Sequence, residues 1–203
     1  MKQIILTEGL NDVILISKFF EEYDFRTKNF LREDMEGSSK IHRNKQDDCI
    51  RSFIEPRSPY DVLIKSEGGK DSLFNLICSE IISLVDRIEH VIIIRDLDDD
   101  SLDKISNIEK KFIDRILNRH KCGDFKINPG EIIERCSKLI AKQYDIIKNN
   151  NNFGQFILII IKPDLESIAK ITESDDRSNK NEKIGRLVEE TEISDFLNRV
   201  IIY

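Results

Sequence analysis

The sequence lacks long hydrophobic runs. The runs that it has, such as Val91–Ile94 and Phe156–Ile161, are far shorter than the roughly 20 apolar residues of a membrane-spanning helix. Its first residues, Met1 to Ile4, also show no apolar segment followed by a cleavage site. We therefore expect a soluble protein of the cytoplasm that has no membrane partner.

Cysteine and histidine are scarce and scattered. The four cysteines form no CxxC pair, and none of the three histidines stands at a metal-ligand spacing from them. The cysteines are Cys49, Cys78, Cys122 and Cys136. This pattern argues against both a structural zinc site and a disulfide framework.

Positive charge is not in excess either, because the formal net charge is −6. A passive nucleic-acid binder usually carries a basic surface, so any contact with nucleic acid must be local or mediated by a metal ion. The chain has 203 residues, of which 39% are hydrophobic and 34% charged. This composition predicts a single globular domain over residues 1–203. It leaves a homodimer open.

Short apolar runs alternate with turn residues and amphipathic stretches, the pattern of a mainly parallel sheet flanked by helices. We predict an α/β fold with about four core strands, Gln3–Thr7, Asp61–Lys65, His90–Arg95 and Phe156–Ile161. Between the third and fourth strands, apolar spacing predicts a helix over Glu131–Lys148, with Ile132 and Ile133 among its buried residues.

Three segments differ from this core. Residues 26–57 are too long for a simple connection after the first helix, so they are predicted to be an insertion, with a helical face at Cys49, Ile50, Phe53 and Ile54. Residues 172–183 are almost entirely polar and are predicted to be mobile. Residues 184–203 are predicted to form a C-terminal helical segment.

Acidic residues follow each predicted core strand. In a parallel sheet the carboxyl ends of the strands open on one edge, where ligands bind. This geometry brings together Glu8, the Glu67-Gly68-Gly69 turn, Asp96, Asp98, Asp100 and the Asp164–Glu166 turn. Carboxylates that repel one another are most easily held together by a hard divalent cation, and Mg²⁺ fits best because it binds few carboxylates and keeps exchangeable waters.

Asp96 and Asp98 form the most specific part of this pattern. Alternate residues of an extended chain point to the same side, which suits a pair of metal ligands. Aspartates after strands also form ordinary turns and helix caps, and this alternative stays open, notably for Asp99 and Asp100 before Ser101.

Glu8 and Asp12 form the second part. Gly9 lets the chain turn sharply beside Glu8, and Asp12 lies one helical turn further on, where it could face the same edge. Alternatively, Asp12 simply stabilises the start of the helix.

The segment TEGLND, residues 7–12, and the segment IIIRDLD, residues 92–98, resemble the motifs of the TOPRIM domain of topoisomerases, bacterial primases and OLD-family nucleases. The segments KSEGGKDSLFNLI, residues 65–77, and PDLESI, residues 163–168, are similar to its OLD-like and small stand-alone branch. The long segment 26–57 and the lack of a P-loop depart from OLD proteins and suggest a stand-alone domain.

The resemblance implies a Rossmann-like TOPRIM core that performs phosphodiester chemistry on DNA or RNA with Mg²⁺, or Mn²⁺ in its place. Asp96 and Asp98 would bind the metal, and Glu8 would act as general acid/base or as a ligand of a second ion. Asp12, Asp100 and Glu166 would assist as further ligands. Lys70 could stabilise charge on phosphate oxygens or be an ordinary solvated lysine.

Two other kinds of function stay open. One is a non-catalytic TOPRIM scaffold that binds nucleic acid or a protein partner. The other is a DxD enzyme of another fold, such as a phosphatase or a nucleotide-sugar transferase. A phosphatase of the haloacid-dehalogenase type would carry an aspartate nucleophile after the first strand, where this chain has Glu8 and Gly9.

Overall fold

The structure is a computed structural model that describes residues 2–32, 41–97, 109–110, 112–118 and 124–202. Its strands are β1 (Gln3–Thr7), β2 (Thr27–Phe30), β3 (Val62–Ser66), β4 (His90–Asp96), β5 (Phe125–Ile127), β6 (Glu131–Arg135), β7 (Leu139–Lys148) and β8 (Asn151–Ile161). Its helices are α1 (Leu10–Phe20), α2 (Ile41–Ile54), α3 (Lys70–Val85), α4 (Leu165–Ala169), α5 (Arg177–Glu189) and α6 (Thr191–Leu197), followed by a π-helical turn, Asn198–Ile202. Residues 109–110 and 112–118 are also helical.

The described strands form one mixed sheet in the order β2-β3-β1-β4-β8-β7-β5, with β6 also paired to β7. The pairs from β2 across to β8 are parallel, and β7 is antiparallel to β8, β5 and β6. The chain is therefore α/β with a mostly parallel sheet flanked by helices, which is compatible with a Rossmann-like fold. The four predicted core strands correspond to β1, β3, β4 and β8, and β2 extends the parallel part.

Helices cover both faces of the sheet, so β1 and β3 are buried along their whole length. Side chains alternate between the faces: Ile4 and Leu6 pack with α3, whereas Ile5 packs with α1, α5 and α6. The α3 side of the sheet also contains residues of α2 and of the helical stretch 112–118. These two cores hold the carboxyl ends of the parallel strands in fixed positions.

The helix predicted over Glu131–Lys148 is wrong, because this segment forms the antiparallel strands β6 and β7. Ile132 and Ile133, predicted to be buried, are 57% and 43% exposed. The apolar residues of β6 have a spacing that also suits a helix, whereas β7 buries Tyr144 and Ile146 with a period of two. Asn149 and Asn150 then adopt positive φ angles of 51° and 65° in the turn to β8.

Residues 26–57 contribute an edge strand and a helix to the fold, β2 and α2. The predicted helical face is present: Cys49 and Phe53 are buried, and Ile50 and Ile54 pack beside them. Asp98 and Asp100 lie outside the described residues.

Helix α5 begins at Arg177, within the segment 172–183 that composition sets apart from the C-terminal helices. Asp176 caps the N-terminus of this helix, because its carboxylate accepts a hydrogen bond from the Asn179 N–H at 2.8 Å. Just before it, Asp175 Oδ2 accepts a hydrogen bond from the Thr172 N–H at 2.6 Å. The helices in the described ranges are all too short or too polar to cross a membrane.

Candidate functional site

Carboxylates follow the carboxyl ends of three neighbouring strands. Glu8 comes directly after β1, Asp96 is the last residue of β4, and Glu166 lies in α4, shortly after β8. Strand β4 pairs with both β1 and β8, so the three ends lie side by side at one edge of the sheet. The structure therefore brings Glu8, Asp96 and Glu166 to the edge at which the sequence predicts a site.

Glu8 is only 8% exposed, and its pKa is raised from 4.5 to about 7. Burial is the main cause, and the negative charge of Asp96 raises the pKa further. Arg95 and Lys70 oppose this shift, and the Arg95 Nε lies 3.7 Å from Glu8 Oε1. The Glu8 carboxyl group therefore titrates near neutral pH, and both acidic and basic side chains surround it.

The pKa of Asp96 is also raised, from 3.8 to about 6. Burial again contributes most, followed by the negative charges of Glu166 and Asp164. The Leu165 N–H donates a hydrogen bond to Asp96 Oδ1 at 3.1 Å and lowers the pKa in part. Because this bond fixes Asp96 to the start of α4, the orientation of the carboxylate depends on the turn after β8.

Asp12 lies in the first turn of α1 and is 4% exposed. Its Oδ2 accepts a hydrogen bond from the Gly9 N–H at 3.0 Å, so it stabilises the helix start as the alternative interpretation expects. Burial, and then the charge of Asp96, raise its pKa well above the usual range. Asp12 therefore serves as a cap and also adds to the negative potential around Asp96.

Glu166 is linked to α1 through Asn11, whose Nδ2 donates a hydrogen bond to Glu166 Oε1 at 2.7 Å. Asn11 lies in the first turn of α1, whose N-cap is Gly9. An asparagine at this position gives no sequence signal that would connect it with a carboxylate so distant in the chain. Asn11 thus ties α1 to α4 across the site.

The Gly68-Gly69 turn is bound to the end of β1. The Gly69 N–H donates to the Glu8 carbonyl oxygen at 2.7 Å, with Gly69 at a φ of 131° that favours glycine. Lys70 begins α3 immediately afterwards, and its charge lowers the pKa of both Glu8 and Asp96. The turn consequently places Lys70 within electrostatic reach of both carboxylates.

A buried ion pair supports this turn. The Lys65 Nζ contacts Glu67 Oε1, and their side chains are 1% and 2% exposed. Arg32 donates to the Glu67 carbonyl oxygen at 3.1 Å and approaches its carboxylate at 3.7 Å. The sequence groups the Glu67 turn with the other acidic strand ends, whereas in the structure the Glu67 carboxylate is paired with Lys65. The two-residue spacing of Lys65 and Glu67 at the end of a strand is the signal that could have revealed the pair.

The described residues contain no group of three or more His, Cys, Asp and Glu side chains arranged to hold a metal ion. Asp98 and Asp100, the other predicted ligands, lie outside the described part. The buried Glu8 and the half-buried Asp96 offer carboxylate oxygens, the donors that Mg²⁺ and Mn²⁺ prefer. Their chemistry fits a hard cation, and a complete site needs at least one further ligand.

Comparison with known proteins found no family model that matches this chain and no curated protein with a similar sequence. The TOPRIM resemblance therefore stays a prediction.

Proposed function

We propose that this protein performs divalent-metal-dependent phosphodiester chemistry on nucleic acid, with Glu8 and Asp96 at the centre of the site. The observation that carries the proposal is that the buried Glu8 and the half-buried Asp96 stand side by side at the ends of adjacent strands, each with a raised pKa. Structural acids are more often exposed or paired, and raised pKa values in a cleft are typical of functional sites.

Glu8 and Asp96, with Asp98 as the predicted third ligand, would hold Mg²⁺ or Mn²⁺. The bound cation would neutralise the carboxylates, orient the phosphate and activate a water molecule. Asp12 and Glu166 are engaged with Gly9 and Asn11, so in this proposal they shape the potential around the site and do not bind the metal directly.

The basic residues of the site suit a phosphate. Lys70 and Arg95 both lie close enough to Glu8 to lower its pKa, so an anion placed beside Glu8 would be near two positive charges. Without a cation, Glu8 has a pKa of about 7, so a cation that binds its carboxylate near neutral pH would displace a proton. These local charges would supply the attraction for nucleic acid that the net charge of −6 does not.

A second candidate function is binding of nucleic acid or a protein without cleavage. The observation that favours it is the contact of Arg95 with Glu8, which gives the Glu8 carboxylate a positive partner inside the protein. A scaffold of this kind would need no metal. The two candidates differ in whether bound nucleic acid is cut.

The deciding experiment incubates the purified protein with end-labelled single-stranded DNA, duplex DNA and RNA, in Mg²⁺, in Mn²⁺ and in EDTA. We expect metal-dependent cleavage that Asp96→Asn lowers on the order of 10³-fold, because a ligand of a charge-stabilising ion is lost. Asp195→Asn, an exposed aspartate of α6, is the matched control and should keep full activity.

Binding without cleavage of any of these substrates would favour the scaffold instead. Equal cleavage by the wild type and Asp96→Asn would contradict the proposed site. Circular dichroism and thermal melting of each variant ensure that the comparison is made on folded protein.

A further inference from the structure

A cavity of about 40 Å³ opens beside Glu8, on the α3 side of the sheet. Its walls are mostly apolar and come from α3, from β4 and β8 and from the helical stretch 112–118. The wall residues used below are Phe74, Phe112, Leu158 and Ile160. The cavity is thus continuous with the charged phosphate site that we propose, but most of its walls are apolar.

One end of the cavity is charged and lies at the proposed site, where Glu8, Lys70 and Arg95 line it. Strand pairing locates the other end: Arg95 is opposite Ile160 on β8, whereas Tyr144 on β7 is opposite Phe156. Tyr144 is therefore four residues back along the strands, about 13 Å at about 3.3 Å per residue. The cavity therefore extends along the strands from the level of Arg95 to the level of Tyr144, and across the sheet from β4 to β7.

The far end of the cavity is polar, and hydrogen bonds and ring stacking hold its side chains in place. The Tyr144 hydroxyl donates to Glu109 Oε1, and the Lys142 Nζ contacts the same oxygen. Tyr144 is fully buried and stacks on Phe156, with ring centres 4.8 Å apart. Both described contacts use Oε1, so Oε2 of Glu109 is the oxygen available to accept a hydrogen bond from a ligand.

The walls between the two ends are mostly apolar and include two aromatic rings. Phe74 and Phe112 lie with their ring centres 5.6 Å apart, and Arg115 lies over the Phe74 ring at 4.8 Å. The cavity has room for about three water molecules, which is closer to a single six-membered ring than to a fused pair of rings. A wholly apolar ligand would leave Oε2 of Glu109 without a hydrogen-bond donor, at a cost in desolvation.

We infer that this cavity binds the base of a nucleotide whose phosphate lies at Lys70 and Arg95, and that the preferred base is cytosine. The ring lies along the apolar walls, and its exocyclic amino group donates a hydrogen bond to Glu109, a pairing that carboxylates make with cytosine. This inference rests on the proposed function, because the phosphate is the one at the Glu8–Asp96 site.

The inference restricts the substrate class. A base that is stacked and paired in a duplex cannot enter a cavity in the protein, so the nucleotide must be single-stranded or turned out of the helix. The proposed enzyme therefore acts preferentially on single strands, with cytosine beside the scissile phosphate.

The test measures binding of cytidine, uridine and adenosine 5′-monophosphates and of inorganic phosphate by calorimetry in Mg²⁺, since none of these ligands contains a phosphodiester bond that the proposed enzyme could cut. We expect cytidine monophosphate to bind about tenfold or more tightly than the other three ligands, because uracil presents an oxygen to Glu109 and a purine is too large. Similar affinities for all four, or no binding of cytidine monophosphate, would overturn the inference.

Two variants test whether the base binds in this cavity. Glu109→Gln replaces one carboxylate oxygen by an NH2 group. Because Tyr144 and Lys142 contact the other oxygen, the NH2 group would face the ligand and donate, so the preference for cytidine over uridine monophosphate should be lost, whereas the exposed control Glu182→Gln should retain it. Leu158→Phe adds volume to an apolar wall of the cavity and should weaken all nucleotide binding while the protein stays folded. An unchanged cytidine preference in Glu109→Gln, or unchanged binding in Leu158→Phe, would contradict the site.

The outcome separates this inference from the proposed function. Selective binding of cytidine monophosphate by a protein that cleaves nothing would refute the nuclease and retain the base site. Metal-dependent cleavage of single strands and duplexes at equal rates, without base preference, would retain the nuclease and refute the base site.

Discussion

The Arg95 guanidinium lies 3.7 Å from the Glu8 carboxylate, across the ends of the neighbouring strands β4 and β1. An arginine so close usually lowers the pKa of a carboxyl group, yet the pKa of Glu8 is raised to about 7. Burial and the nearby Asp96 outweigh the arginine. The site therefore carries unfavourable electrostatic free energy when Glu8 and Asp96 are both ionised without a bound cation.

The first prediction concerns pH and stability. In EDTA, the free energy of unfolding should fall as the pH rises from 5 to 8. Glu8 and Asp96 retain protons in the folded state up to about pH 7 and about pH 6, whereas the unfolded chain releases them near 4.5 and 3.8. The folded state binds more protons in this window, so raising the pH favours unfolding. Urea titrations at several pH values measure the slope.

Glu8→Gln should remove much of that slope and raise stability at pH 8 by on the order of 1–3 kcal/mol, since no charge is then buried at this position. At pH 5 the wild type is largely protonated at Glu8, and the variant should differ little from it. The exposed control Glu189→Gln should leave the slope unchanged. A Glu8→Gln protein with the same slope as the wild type would refute the role of Glu8.

The second prediction concerns the buried Lys65–Glu67 pair. Lys65→Met should destabilise the protein by about 3–5 kcal/mol, because it leaves the Glu67 carboxylate buried without its closest partner. The double variant Lys65→Met/Glu67→Gln should recover a large part of that loss. Chemical denaturation of both proteins checks the expectation, and an equal or larger loss in the double variant would contradict the pairing.

The third prediction concerns two glycines. A Cβ on Gly130 would lie 2.5 Å from the Tyr144 ring, so Gly130→Ala should destabilise the protein by about 1–3 kcal/mol. Gly185 lies inside α5 with open space at its Cβ position, and Gly185→Ala should stabilise by about 0.5–1 kcal/mol. Thermal melting compares the two. A Gly130→Ala protein as stable as the wild type would show that Tyr144 is not held as described.

Much of the parallel sheet could be predicted because its core strands are short apolar runs followed within a few residues by Gly, Asp or Pro. Glu8 and Asp96 stand directly at such ends, so the rule that strand ends share an edge was enough to bring them together. Asp12 illustrates the limit of that rule: its spacing from Glu8 predicts a place at the edge, but its hydrogen bond to Gly9 depends on local cap geometry.

The antiparallel part could not be predicted in the same way. In β6 the apolar spacing fits a helix, and the pairing with β7 contains an irregularity between Ile132 and Glu134 that breaks simple alternation. The contacts of Asn11 with Glu166 and of Lys142 with Glu109 join residues distant in the sequence. Such contacts are determined by tertiary packing, which cannot be predicted from local sequence patterns.

The central claim is that Glu8 and Asp96 together bind a hard divalent cation, and crystals soaked in Mn²⁺ test it most directly. The account predicts an anomalous scattering peak that contacts carboxylate oxygens of both residues at about 2.0–2.2 Å and disappears in crystals of Asp96→Asn. A structure in which saturating Mn²⁺ leaves both carboxylates without metal density, with Arg95 still paired to Glu8, would contradict it.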